Sequence, residues 1–210
     1  MDYKSKIAII ILLSLMIFLI TGCGSSSLGK EATIINEVTN SNALKSGWMS
    51  FSDGGYSAAR QAFATALENE SDFDEEMRAK LYNGLGWATV RLEGFSSAGQ
   101  YFQKAYKRCS DAKVGMAAYY LSDMDRVMIP EGIKLLESLN LTNAQYQYNF
   151  EYNPGVTNAQ VHALMGLLYY FDGQQGKASG QFNVAGDIVN SPGEEISAQT
   201  VNAIINQFSL

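Results

Sequence analysis

The chain has 210 residues, a formal net charge of −6 and two cysteines. An acidic chain without a basic stripe excludes nucleic acid as a partner. It also gives no electrostatic reason to lie flat on anionic lipid.

Lys4 and Lys6 precede an apolar run from Ile7 to Ile20 that ends at Thr21-Gly22-Cys23. A charged start, an apolar stretch and a small-residue cleavage point make residues 1–22 a signal peptide. The run is shorter than the ~20 residues that span a bilayer, so a permanent transmembrane helix is not expected. Ile20-Thr21-Gly22-Cys23 resembles the bacterial lipobox, in which the cysteine thiol is acylated and becomes the new N-terminus; an ordinary secretory signal with an incidental cysteine is the alternative. The resemblance implies a mature chain from Cys23, held in the membrane by acyl chains that each contribute about 0.8 kcal/mol per buried methylene. Gly24 stands where an aspartate would favour inner-membrane retention, which implies the outer membrane facing the periplasm; in a single-membraned host it implies the outer face of the cell membrane. Residues 23–39, with Gly24-Ser25-Ser26-Ser27, form a flexible tether. Losing residues 1–22 removes Lys4, Lys6 and Asp2 and leaves the chain one charge more negative. With Cys23 acylated, Cys109 is a lone thiol and no intramolecular disulfide framework exists; packing is its expected role, with a redox role beside Lys107 and Arg108, or intermolecular pairing, as the alternatives.

Residues 40–210 are organised by a repeat. Gly47, Ala59, Phe63 and Ala66 recur with the same offsets as Gly86, Ala98, Phe102 and Ala105, and again as Gly166, Ala178, Phe182 and Ala185. A weaker copy runs through Tyr120, Gly132, Leu136 and Leu139. Spacings of roughly 34 to 47 residues mark stacked helical units. Ala59, Phe63 and Ala66 lie at i, i+4 and i+7, the buried stripe of one amphipathic helix. The glycine twelve residues earlier sits in a preceding helix, where the missing side chain permits close approach. Between the helices come the turns Gly54-Gly55-Tyr56, Glu93-Gly94-Phe95 and Gly173-Gln174-Gln175.

These residues resemble the tetratricopeptide repeat. Its bulky-Leu-Gly opening is similar to Tyr82-Gly84-Leu85-Gly86 and His162-Met165-Gly166, with Tyr169 at the aromatic site; its turn and second helix are similar to Gly54 through Ala59 with Phe63 and Ala66. The resemblance covers about 40–72, 79–111, 113–140 and 159–190 and implies an all-α, right-handed superhelix of antiparallel helix pairs. The third copy departs most, with Tyr120 for the glycine and Val127-Met128-Ile129-Pro130 for the glycine-rich turn.

Residues 141–157 fall outside the repeat. Tyr146, Tyr148, Phe150 and Tyr152 alternate with polar residues in an extended period before the turn Asn153-Pro154-Gly155, while Thr142 to Gln145 offers a capping box and a competing short helix. Four aromatics in one connection predict packing on the solenoid or an accessory contact surface. Thr157 with Gln160 forms a capping box for the last repeat. Ser191, Pro192 and Glu194 open a capping helix over 192–208, which carries Ile196, Val201, Ile204, Ile205 and Phe208 on one face.

In the resembling family the first helix of each pair lines a concave groove, at the residue after the repeat glycine and the one three further on. Here those are Trp48 and Phe51, Trp87 and Val90, Leu121 and Met124, Leu167 and Tyr170. All are apolar or aromatic; only Lys80, Asn83 and Arg91 approach the polar pattern that grips a charged peptide end. Such a groove suits an apolar segment of a partner protein. Internal cover by 141–157 or the N-terminal tail, and self-association as a homodimer, satisfy the same observation.

No catalytic constellation is apparent. His162 is the only histidine and reads as a packing residue, no zinc spacing exists, and Gly84-Leu85-Gly86 lacks a phosphate-loop context. Asp72, Asp74, Glu75 and Glu76 read as a helix N-terminus. The expectation is a non-enzymatic, lipid-anchored envelope scaffold without cofactors that binds an envelope protein. The alternative is a carrier of a small hydrophobic ligand, serving a transporter, with Trp48, Trp87 and Tyr170 lining a closed pocket.

Overall fold

The computed structural model describes residues 37–68, 71, 73–124, 126–143, 146–189 and 201–204. The expected signal peptide, Cys23, most of the expected tether and most of the expected capping helix lie outside the described residues. All regular structure among the described residues is helical. The helices are α1 (Glu37–Ser52), α2 (Tyr56–Leu67), α3 (Glu75–Glu93), α4 (Phe95–Ala105), α5 (Ser110–Asp123), α6 (Ile129–Glu137), α7 (Asn158–Phe171) and α8 (Gln175–Val189). Residues 201–204 are also helical, with Val201 and Ile204 buried. The chain divides into two compact units between Gly115 and Met116, inside α5.

In the first unit α1 packs on α2, α2 on α3 and α3 on α4. The link between neighbours is a phenylalanine ring held between two glycines. A Cβ at Gly84 would stand 2.5 Å from Phe63 Cζ, and one at Gly47 would overlap the same ring. Phe102 is held likewise: a Cβ at Gly86 would come within 2.6 Å of its Cε1, and Gly115 abuts the ring from α5. Phe63 and Phe102 are fully buried, which stabilises by about 1.5–3 kcal/mol each. One glycine belongs to the ring's own helix pair and the other to the next helix along, so the ring fixes both spacings.

The second unit repeats half of this device. Phe182 of α8 rests on Gly166 of α7, where a Cβ would lie 2.5 Å from Cε1. Helix α7 starts at Thr157, whose hydroxyl accepts from Gln160 N–H while the Gln160 side chain accepts from Thr157 N–H, the expected capping box. In the first unit Asp74 caps α3 by accepting from Met77 N–H at 2.7 Å, with Glu75 and Glu76 in the first turn.

Turns close two of the pairs identically. Gly54 N–H donates to Phe51 O and Gly55 N–H to Ser50 O; Gly173 N–H donates to Tyr170 O and Gln174 N–H to Tyr169 O. This doubly bonded helix ending needs a left-handed residue, supplied by Gly54 (φ 78°) and Gly173 (φ 81°). In the third pair Met124 takes that place: its φ is 53° and its N–H donates to Leu121 O, the same three-residue step. Counting back seven residues, as from Gly54 to Gly47, puts Ala117 at the small first-helix position. The assignment of Tyr120 to that position is therefore corrected by three residues. The reason is a longer turn: α6 begins five residues after Met124, whereas α2 begins two after Gly54. Gly132 keeps its place in α6, near Leu168 and Tyr120.

Residues 146–150 of the insertion carry neither strand nor helix. The alternating aromatics adopt no ladder, and their backbone is instead tied by side chains: Tyr148 N–H donates to Asn158 Oδ1 at 2.5 Å, and Gly155 N–H to Asn153 Oδ1 at 2.7 Å.

Replacing Gly86 by alanine is expected to destabilise the protein by about 1–3 kcal/mol, because the added carbon must displace the Phe102 ring. Urea unfolding of the variant measures the loss, and Phe102→Leu in the same chain should recover part of it.

Candidate functional site

The eight residues expected to line a groove fall into two groups. Trp48, Phe51, Trp87, Val90, Leu121 and Leu167 are buried, each no more than 8 % exposed. Met124 and Tyr170 are half-buried. The groove expectation is thus corrected for the first six by their burial, and for Trp48, Phe51 and Trp87 the cause is aromatic packing inside their own helix pairs. The Trp48 ring meets Phe63 edge-on at 5.5 Å and 66°, and the Trp87 ring meets Phe102 at 5.3 Å and 69°. The residue after each glycine therefore leans on the phenylalanine fifteen positions later, in the same geometry twice. Phe51 continues the cluster toward Trp48 at 5.2 Å and Tyr56 at 5.0 Å, and Trp87 touches Phe95 at 6.0 Å. Such edge-to-face pairs contribute about 0.5–1.5 kcal/mol beyond burial. Met124 leaves the groove set for another reason: α5 has ended at Asp123, so Met124 belongs to the turn.

The polar residues singled out near this face divide similarly. Arg91 lies with its guanidinium 5.9 Å from the Phe51 ring centre and 5.7 Å from that of Tyr56. Burial pulls its pKa below the usual arginine value, opposed by the Tyr56 hydroxyl. Lys80 pairs with Glu76 one turn away at 3.1 Å. Asn83 is fully buried and neither atom of its amide is hydrogen-bonded. A buried amide in that condition costs about 1–3 kcal/mol.

In the second unit the insertion aromatics are only partly accessible. Tyr148 is buried and stacks edge-on with Phe150 at 4.9 Å, while Tyr146, Phe150 and Tyr152 are half-buried. His162, on α7, is fully buried. Its Nδ1 lies 2.7 Å from Gln181 Oε1 and its Nε2 lies 3.1 Å from Tyr146 O; Gln181 Nε2 donates to Leu141 O at 3.0 Å. His162 is a packing residue as expected, and it also ties α7 and α8 to the insertion. Nothing in the sequence pairs it with Gln181, nineteen residues away on another helix.

Tyr169 donates to Glu137 Oε1 at 2.8 Å, and Lys177 Nζ lies 5.0 Å from the centre of its ring. Burial and then the Glu137 hydrogen bond push the phenol well above its ordinary range. A cavity of about 320 Å³ opens beside it, lined by Thr142, Tyr169, Lys177, Gly180, Gln181 and Val184. A second, of about 430 Å³, lies in the first unit among Ser57, Arg60, Gln61, Ala64, Leu85 and Tyr101. Neither is lined by Trp48, Trp87 or Tyr170, the trio expected around a hydrophobic ligand. Among the described residues no group of three or more His, Cys, Asp or Glu is placed to hold a metal ion, and no helix is long and apolar enough to cross a membrane. Cys109 is buried.

These features define an all-α protein of adjacent antiparallel helix pairs with glycine-clasped aromatic cores. The fold is that of tetratricopeptide-repeat proteins. The chain is similar to a thermophilic tetratricopeptide-repeat protein of Thermus thermophilus, whose crystal structure superposes with a TM-score of 0.54 at 18 % identity, over 81 % of this chain and 83 % of that one. No family model matches the chain, and no curated protein matches it.

Trp87→Ala is expected to lose about 3–5 kcal/mol of stability, as buried aromatic truncations do. Met49→Ala, at a 58 % exposed site beside Trp48, should stay within about 0.5 kcal/mol of the parent. Chemical unfolding of both variants separates a core tryptophan from a surface methionine. Asn83→Leu should raise the unfolding midpoint, by about 1–3 kcal/mol in free energy, because it removes an unsatisfied amide from the interior.

Proposed function

We propose that this protein is a lipid-anchored adaptor of a bacterial cell envelope, tethered through Cys23 and binding a partner protein with its helix-pair repeats. The partner-binding half is supported by one observation, the likeness of the fold to a tetratricopeptide-repeat protein, since solenoids of this kind offer extended surfaces for binding. The anchoring half rests on Ile20-Thr21-Gly22-Cys23 following an apolar run. Gly24 supports the outer membrane, facing the periplasm, as the location.

The contact residues are the accessible ones of the second unit. Tyr170 is the one groove position on a helix that stays half-buried, and Tyr146, Phe150 and Tyr152 of the insertion are half-buried too. Tyrosine and phenylalanine offer large contact area with few rotors and anchor protein interfaces well. A partner presenting an apolar helix or extended segment fits them.

Photo-crosslinking from the exposed neighbouring position of Asp172 in intact cells should capture an envelope protein, and Tyr170→Ala combined with Tyr152→Ala should reduce that capture about tenfold without lowering the unfolding midpoint. Cys23→Ser should release the chain from the membrane fraction and abolish its acyl mass. A Cys23→Ser chain that still carries acyl groups overturns the anchor. Co-purified small hydrophobic molecules lost on the Tyr170 substitution, with no crosslinked protein, overturn the adaptor reading in favour of a ligand carrier.

A further inference from the structure

The cavity of about 430 Å³ in the first unit is walled by Ser57, Arg60, Gln61 and Ala64 of α2, Leu85 of α3 and Tyr101 of α4. Its size falls within the range of small-molecule sites, roughly 300–1,000 Å³. The copies of the repeat show which of its residues the fold requires. Ala59, Ala98 and Ala178 share one repeat position. The residue that follows is Arg60, Gly99 or Ser179, and the third residue on is Ala62, Tyr101 or Gln181. All three second helices form with unrelated side chains at these two positions. Packing of the helix pairs therefore does not dictate Arg60 or Tyr101, yet both stand in the wall of one cavity.

The hydrogen-bonding groups around it are mixed in kind and balanced in charge. The Arg60 guanidinium donates to the Glu93 carboxylate at the end of α3 and keeps further N–H groups for another partner. The side chains of Ser57, Gln61 and Tyr101 make no hydrogen bond to any described residue, and the half-buried Tyr101 ring stacks on no other described ring. Gln61 offers both an amino group and a carbonyl, and the two hydroxyls donate or accept. Glu93 neutralises Arg60, and residues 1–115 carry twelve Lys and Arg against twelve Asp and Glu. A phosphate or carboxylate, which only accepts, would meet Glu93; an ammonium, which only donates, would meet Arg60. A ligand hydroxyl does both and needs no opposite charge. A sugar ring directs hydroxyls from its edge and C–H bonds from its faces. Leu85, 5 % exposed, and the Tyr101 ring supply apolar surface for those faces beside the polar groups.

We infer that this cavity binds a neutral sugar, with Tyr101 against the ring face and Arg60, Gln61 and Ser57 on the hydroxyls. Glu93 is a positioning residue: it holds the guanidinium and cancels its charge, so that neutral ligands are preferred over anionic ones. The site lies on the first unit and uses none of the aromatic residues assigned to the adaptor's partner. Either reading can therefore fail while the other stands.

The test titrates the ¹⁵N-labelled full chain with glucose, N-acetylglucosamine and cellobiose. Glucose 6-phosphate, glucosamine and N-acetylalanine amide serve as the anionic, cationic and peptide-like arms. Concentrations run to about 100 mM, well above the roughly millimolar dissociation constant expected of a ligand the size of a hexose. The Gln61 side-chain amide and the Arg60 and Tyr101 backbone signals should shift with a neutral sugar, and the other three compounds should bind at least about fivefold more weakly. Tighter binding of cellobiose than of glucose assigns the site to a glycan chain, and equal binding assigns it to a free monosaccharide. Tyr101→Ala and Gln61→Ala should each weaken sugar binding about fivefold without moving the urea midpoint. Glu93→Gln should weaken glucose and strengthen glucose 6-phosphate, a reversal that a merely structural role for Glu93 would not produce. The absence of any shift with the neutral sugars overturns the inference. So does equal or tighter binding of glucose 6-phosphate or N-acetylalanine amide by the parent chain, or unchanged sugar binding in the variants. If Tyr101→Ala does not fold, Gln61→Ala decides, because Gln61 is exposed.

Discussion

The first unit depends on a steric fit that occurs twice in it: a phenylalanine ring seated where two glycines have no side chain. In the first unit Phe63 is held between Gly47 and Gly84, and Phe102 between Gly86 and Gly115. One glycine sets the distance within a helix pair and the other the distance to the next helix. An alanine at any of them would overlap the ring, and a smaller residue in place of the ring would leave a cavity. The spacing of these helices within the first unit therefore comes from excluded volume. Hydrophobicity alone could not set it, because many apolar residues would satisfy burial equally well.

The same fit accounts for the fate of the tryptophans. Once a ring is pressed against the glycine on a first helix, the side chain one residue later projects beside it and is drawn onto the ring's edge. Trp48 on Phe63 and Trp87 on Phe102 show nearly the same distance and angle. Large aromatic side chains next to the repeat glycine thus extend the core outward instead of presenting themselves to a partner. Of the polar residues near this face, Asn83 is carried into the interior with them, while Arg91 stays half-buried over the Phe51 and Tyr56 rings. The positions that stay less buried, Tyr170 and the insertion aromatics Tyr146, Phe150 and Tyr152, lie in the second unit, where the repeat is least regular.

The helix pairs, their caps and their closing turns were legible in the sequence because each depends on residues close together in the chain. The capping box at Thr157 and Gln160, the N-cap at Asp74 and the left-handed turns at Gly54 and Gly173 follow from local chemistry that nothing distant overrides. The third pair was misregistered for the same reason in reverse. Its turn is longer and is closed by Met124, a residue with no intrinsic preference for positive φ, so no local signal marked where the first helix stops. The insertion kept its alternating pattern but formed no strand. A strand needs a partner edge, and this segment found side-chain oxygens and a histidine instead.

By itself the sequence determined the repeat, the all-helical character, the positions of most helix ends and the N-terminal motif, since period and offset are properties of the chain alone. Only the tertiary structure decided which glycines clasp which ring, that Gly84 and Gly115 reach across to a neighbouring helix, that the tryptophans are core, and that His162 meets Gln181 and the insertion. Those facts rest on contacts between residues 13 to 40 positions apart, whose geometry is set by helix packing. A linear pattern specifies which face a side chain takes, but what that face touches is fixed only when the helices pack.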